Sequence, residues 1–143
     1  MNILVINGPN INMLGKREPG HYGQISFYEL EDLIREQAEK YDIGIDFFQS
    51  NSEGEIVDCI QKAGGYDGII INAGAYTHTS IAIRDALLSI NAKFIEVHLS
   101  NVFAREPFRH HSYLSDIALG VIAGFREDSY LMAVDYFANG VWQ

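Results

Sequence analysis

The chain has a single cysteine, Cys59, in 143 residues, which excludes an internal disulfide and any metal site built from several thiolates of one chain. Cys59 falls in a helical pattern, where a small packing residue is the ordinary reading. No run approaches the roughly 18 apolar residues of a membrane span, and no charged start followed by an apolar stretch reads as a secretory signal. These absences predict a soluble, cytoplasmic protein. Positive charge is also scarce: ten Lys and Arg against nineteen Asp and Glu give a net charge of −9, which argues against a nucleic-acid partner or an anionic membrane. Repeats, low-complexity tracts and linkers are missing too. The remaining reading is one domain, residues 1–143, 48% hydrophobic and long enough to bury a core.

What is present is unevenly distributed. Residues 29–58 hold ten acidic and two basic side chains, whereas residues 98–111 hold Arg105, Arg109, one glutamate and three histidines. Five runs read as strands: NILVIN (2–7), IDFFQ (45–49), GIIIN (68–72), KFIEVH (93–98) and LGVIAG (119–124). Most are continuously apolar, as in a parallel sheet covered on both faces. Helical patterns lie between them. Ser26 with Glu29 and Ser52 with Glu55 have the S-x-x-E spacing of a helix start. The first helix is expected from Ser26 to about Tyr41 with Tyr28, Leu30, Leu33, Ile34 and Ala38 on its apolar stripe. The second ends at the glycine pair 64–65, the third runs through TSIAIRDALLSI, and the last spans about Asp128 to Gly140.

Alternating strands and helices give an α/β doubly wound fold, and five strands favour the flavodoxin-like parallel order 2-1-3-4-5. Ligands of such sheets bind at the carboxyl ends of the strands. After strand one come Asn7, Asn10, Arg17, His21 and Tyr22; after strand three, Asn72, Thr77 and His78; at and after strand four, His98, Ser100, Asn101, Arg105, Arg109, His110 and His111. All five histidines of the chain fall in these segments, which points to one site.

The first βα connection is longer than the usual two to six residues, and its REPGHYG stretch (17–23) suggests a lid at about residues 16–25. A phosphate-binding loop and a dinucleotide fingerprint are both missing, and the strand ends carry asparagines where a response regulator needs carboxylates. Ser80 lacks the elbow motif of a serine nucleophile. A metal held by His78, His98 and Glu96 is chemically conceivable, but the neighbouring cations argue against it.

Proton chemistry on a small anion remains. Arg105 and Arg109, four apart, could share a face and hold a carboxylate, or could simply be a solvated basic turn. Glu96, two residues before His98, points to the same side of the sheet. It could orient a general acid or base, or a structural histidine. Asn10 and Asn72 could be turn formers. Tyr22 could cover the core or, beside Arg17, serve as a base.

Three segments, NGPNINMLGKREPGHYG, INAGAYTHTSIAIRDAL and IEVHLSNVFAREPFRHHSYLS, closely resemble the type II 3-dehydroquinate dehydratases, and the similarity extends over nearly the whole chain. The resemblance implies dehydration of 3-dehydroquinate to 3-dehydroshikimate with no cofactor, metal or Schiff base, in the shikimate pathway or in quinate catabolism. It also implies a homododecamer, a tetramer of trimers. By position, Tyr22 matches the base that removes the C2 proton to leave an enolate, and Asn10 the residue that helps hold a water on the enolate oxygen. His98 matches the acid that protonates the departing C1 hydroxyl, with Glu96 orienting it. Arg17 matches the lid arginine, and Arg105 a second one near the base. Asn72, His78, Ser100 and Arg109 match substrate-binding positions, with the amides around Leu99 and Ser100 taking the carboxylate. Asp85, otherwise read as the solvated face of the third helix, matches a residue contributed by a neighbouring subunit. The FREDS segment (125–129) departs from the glycine-containing turn expected before the last helix. The alternative to an enzyme is a flavodoxin-like module that holds a small acid or nucleotide without turnover.

Overall fold

Strand and helix alternate along the chain: β1 (Asn2–Asn7), α1 (Phe27–Glu39), β2 (Gly44–Gln49), α2 (Glu53–Gln61), β3 (Gly68–Asn72), α3 (Ile81–Ser89), β4 (Phe94–His98), β5 (Gly120–Ala123) and α4 (Asp128–Ala138). A computed structural model describes residues 1–16 and 25–142. Residues 17–24 of the expected lid, with Arg17, His21 and Tyr22, therefore lie outside the described residues. The strands form one sheet in the order β2-β1-β3-β4-β5, and every neighbouring pair is parallel, so the doubly wound arrangement expected from the sequence is the one observed.

The two faces of the sheet alternate residue by residue. Ile3, Val5 and Ile70 pack against α1 and α4 through Leu30, Ile34, Val134 and Phe137. Leu4, Ile6, Ile71 and Phe94 pack against α2 and α3 through Ile56, Ile60, Ile83 and Leu87. Burying each of these side chains contributes about 1.5–3 kcal/mol. Burial on both faces is why the central strands read as continuous apolar runs. Asn7 and Asn72 continue the first alternation to the carboxyl edge, where their Cα atoms pair across β1 and β3. Glu96 and His98 continue the second.

Several local expectations need correction. Tyr28 is 72% exposed and off the apolar stripe of α1; Phe27 packs on the core in that turn instead. β4 begins at Phe94 rather than Lys93, and β5 spans only Gly120–Ala123. β2 starts one residue early, at Gly44. α2 stops at Gln61, and a 3₁₀ turn over Ala63–Gly65 completes the path to the glycine pair. α3 begins at Ile81, because the Ser80 hydroxyl accepts the Ile83 amide proton and caps the helix. In the FREDS segment Arg126 takes the left-handed conformation (φ 54°) that a glycine would adopt without strain. The turn is closed by the Phe125 amide donating to Ser129 Oγ at 3.1 Å.

At the carboxyl edge, β1 and β3 run into loops that nearly touch. A Cβ on Gly8 would sit 2.3 Å from the Ala73 carbonyl oxygen, so only glycine fits there. The Gly8 amide donates to the Asn72 carbonyl at 2.7 Å. Farther along, Gly15 packs against Ile25 and Ser26, so the chain on either side of residues 17–24 meets at the rim of the site.

Candidate active site

A pocket of about 220 Å³ opens at the carboxyl ends of β1, β3 and β4. Its wall includes Asn10, Asn72, His78, His98, Leu99, Ser100, Arg105 and Arg109. Eight residues singled out in the sequence are thus brought together at the switch point where ligands bind in doubly wound folds. Asp85 is not among them. It is exposed on α3 and does not line its own chain's pocket.

Asn10 heads a short 3₁₀ turn in the left-handed conformation, φ 70°, which asparagine tolerates better than most residues. Its amide donates to Asn51 Oδ1 at 3.0 Å, and Gln49 Nε2 reaches the same oxygen at 3.3 Å. The Tyr76 hydroxyl holds the Asn51 carbonyl at 2.7 Å. The loop after β2 thereby braces the loop that carries Asn10.

His98 and Glu96 form a buried dyad on the α2/α3 face. Glu96 is 1% and His98 6% exposed. His98 Nε2 bonds to Glu96 Oε2. A carboxylate can only accept, so Nε2 carries the proton and Nδ1 is the nitrogen left for chemistry. Ser115 donates to Glu96 Oε1 at 2.7 Å and Thr77 to Oε2 at 3.2 Å. Thr77 is in turn bonded to Ser112. Burial alone would raise the Glu96 pKa, but the bonds from His98 and Ser115, the nearby imidazole and the Thr77–Ser112 hydroxyl pair hold it below its ordinary value of 4.5. Glu96 is therefore an anion whose oxygens are committed to orienting donors. Among the described residues, no three His, Cys, Asp or Glu side chains are grouped as metal ligands.

His78 stacks beside His98 with ring centres 6.4 Å apart. His78 Nδ1 bonds to the His111 carbonyl at 2.8 Å, which places its proton on Nδ1 and leaves Nε2 as an acceptor. Burial, with the neighbouring His98 and Arg109 charges, lowers the His78 pKa below 6.5 against the opposing His111 bond and Glu96. A neutral ring at this position can accept a hydrogen bond from a hydroxyl.

The cationic wall is built on the loop after β4. Arg105 Nη1 donates to Ser100 Oγ at 3.3 Å. Arg109 Nε meets both oxygens of Glu106, at 3.2 and 3.3 Å, and its guanidinium lies 5.2 Å from the Phe108 ring centre. Glu106, held below its ordinary value by its own backbone amide and by Arg109, orients the arginines while cancelling one of their charges. The His98 and Leu99 carbonyls take the Gly124 and Arg126 amides at 3.2 and 3.0 Å. The Leu99 and Ser100 amides donate to no backbone acceptor among the described residues.

Sequence reasoning missed three parts of this arrangement. Glu106 was only a charge in the composition of the loop, although its three-residue spacing from Arg109 was a readable pairing signal. Ser112 and Ser115 reach Glu96 only because the long loop before β5 folds back, and no local signal marks them. Tyr130, not singled out in the sequence, is a polar partner of both strand-end asparagines.

A flavodoxin-like domain whose carboxyl edge combines an imidazole–carboxylate dyad, carboxamides and guanidiniums defines a class suited to moving protons on a small, oxygen-rich anion. Residues 1–138 match the family described as "Dehydroquinase class II", and the chain belongs to that family. It is 57% identical over 136 residues to the "Catabolic 3-dehydroquinase" of Penicillium rubens, covering 94% of this chain and 88% of that protein. It is 52% identical over 142 residues to the "3-dehydroquinate dehydratase" of Haemophilus influenzae, covering 96% and 95%. The crystal structure of the type II dehydroquinase from Butyrivibrio crossotus superposes with a TM-score of 0.93 at 50% identity, covering 97% of each chain.

Proposed function

We propose that this chain catalyses the dehydration of 3-dehydroquinate to 3-dehydroshikimate, with the roles of its residues as follows. Tyr22, as phenolate, takes the C2 proton beside the ketone, and the electron pair moves onto the ketone oxygen as an enolate. Asn10 helps hold the water that stabilises that oxygen. The enolate then collapses to a C1–C2 double bond as the C1–oxygen bond breaks, and His98 gives a proton to the departing hydroxyl, which leaves as water. Glu96 orients His98. Arg17 and Arg105 lower the cost of the phenolate, Arg109, Asn72 and His78 hold hydroxyls and carboxylate, and the Leu99 and Ser100 amides take the carboxylate. The observation that carries this reading is that His98, bonded to Glu96, lines one pocket with Asn72 and both arginines in a chain of the class II dehydroquinase family.

No step uses a covalent imine. All four lysines, Lys16, Lys40, Lys62 and Lys93, are exposed, and desolvation is what frees a lysine amine to attack a carbonyl. Addition of 3-dehydroquinate should produce the ultraviolet absorbance of a conjugated enone, and borohydride with substrate present should leave activity intact. Binding without absorbance change would favour a module without turnover; a reduced adduct in the mass spectrum would restore the Schiff base.

Further parts of the reading are a cytoplasmic location and assembly as a homododecamer, a tetramer of trimers, in which Asp85 completes the pocket of a neighbouring subunit. Its exposed place on α3, away from its own pocket, supports that role. Mixed trimers of Asp85→Ala and Tyr22→Phe chains should then recover activity that neither variant has alone, because some pockets combine two intact halves. Verified mixed trimers without recovery would show that the site is not shared.

A further inference from the structure

Tyr130 lies on α4, is 0% exposed, and is absent from the pocket wall. Its hydroxyl nevertheless connects two residues of the carboxyl edge. It donates to Asn7 Oδ1 at 2.6 Å and accepts from Asn72 Nδ2 at 2.9 Å. Asn72 Oδ1 accepts the Gly74 amide at 3.1 Å. The direction of this chain of bonds is set at one end, because a backbone N–H can only donate and therefore faces the oxygen of the Asn72 carboxamide. The nitrogen of that carboxamide must then face Tyr130, and the phenol proton must point to Asn7. Burial holds the Tyr130 pKa well above its ordinary value of 10, against the lowering by Asn72, so the hydroxyl stays a donor. Asn7 Nδ2 has no partner among the described residues, a cost the network bears to keep this polarity.

We propose that Tyr130 is a positioning residue for substrate binding: its hydroxyl fixes the Asn72 carboxamide so that one Nδ2 hydrogen is kept for the ligand in the pocket. This rests on the assignment of Asn72 to substrate binding. Without the hydroxyl, the carboxamide loses one of two anchors and its amide group is free to swing about χ2.

The test compares Tyr130→Phe, Asn72→Ala and the double variant by steady-state kinetics with 3-dehydroquinate. Phenylalanine fills the same ring volume. Tyr130→Phe should raise KM about tenfold, the scale of one hydrogen bond, with kcat changed far less. In the Asn72→Ala background it should add nothing. A Tyr130→Phe enzyme with native KM, or an equal effect in both backgrounds, overturns the inference while leaving Asn72 as a binding residue. A native KM in Asn72→Ala removes the assignment on which the inference rests and overturns both. Should Tyr130→Phe fail to fold, Asn7→Ala releases the phenol proton from its acceptor and should raise KM in the same direction; an unchanged KM there also overturns the proposal.

Discussion

Replacing Tyr22 by phenylalanine should lower turnover by about 10²–10⁴-fold, the usual contribution of a general base, while a substrate analogue still binds. Free tyrosine has a pKa near 10, so on the order of one phenol in a thousand is ionised at neutral pH. Each unit of depression reflects about 1.4 kcal/mol of preferential stabilisation of the phenolate, which neighbouring guanidiniums can supply in a site poor in water. Arg17→Ala should accordingly lower turnover and move the basic-group pKa of the rate profile upward. The decisive measurement is made in heavy water: Tyr22→Phe should neither dehydrate the substrate nor exchange its C2 proton. A variant with near-native turnover would remove Tyr22 from the mechanism and leave His98 as the candidate base.

Glu96→Gln should give a loss of similar size at a different step. The glutamine keeps the volume and one acceptor, but its amide cannot replace the carboxylate charge beside the ring that stabilises an imidazolium about to deliver a proton. If its nitrogen faces His98, Nε2 must accept and the ring's one proton sits on Nδ1, so that giving it to the leaving group would leave an imidazolate rather than a neutral ring. Enolate formation is untouched, so this variant should keep exchanging the C2 proton while dehydration falls by about 10²–10⁴-fold. The acid stability of the fold should change as well. Because the folded-state pKa of Glu96 lies below its ordinary value of 4.5, its contribution to stability is complete above that value and is lost as pH falls through the lower, folded one. Glutamine has no such transition, so part of the acid-induced loss of stability should disappear in denaturation curves collected below pH 4.5. Loss of C2 exchange together with dehydration would mean that Glu96 supports the base rather than the acid.

The sheet was legible because burial on both faces leaves little freedom in composition: β1 and β3 are the apolar runs themselves, ended by Asn7 and Asn72. Ser26 and Ser52 marked helix starts because capping is a local bond three residues long. Tyr28 was misplaced because it lies two and five residues from Leu30 and Leu33, spacings that put it on the opposite side of α1; Phe27, three residues before Leu30 and seven before Ile34, is the aromatic in phase with the stripe. The wall of the pocket was readable from the clustering of histidines after three strand ends. Its supports were not. Ser115 reaches Glu96 across 19 residues and Tyr130 reaches Asn7 across 123, and such partners come from the path of the chain rather than from any spacing within it.

The alternation of β1, β3 and β4 at the edge of the sheet also divides labour between two hydrophobic cores. Asn7 and Asn72 stand over the core shared with α1 and α4, whereas Glu96 and His98 stand over the one shared with α2 and α3. On the proposed roles, the Asn72 carboxamide that binds substrate and the dyad that delivers the proton rest on separate foundations: repacking beneath α4 reaches the pocket through Tyr130 and the carboxamides, and repacking around Leu114 reaches it through the loop that carries Ser112 and Ser115. On that division, packing changes beneath α4 should show chiefly in KM and packing changes around Leu114 chiefly in kcat.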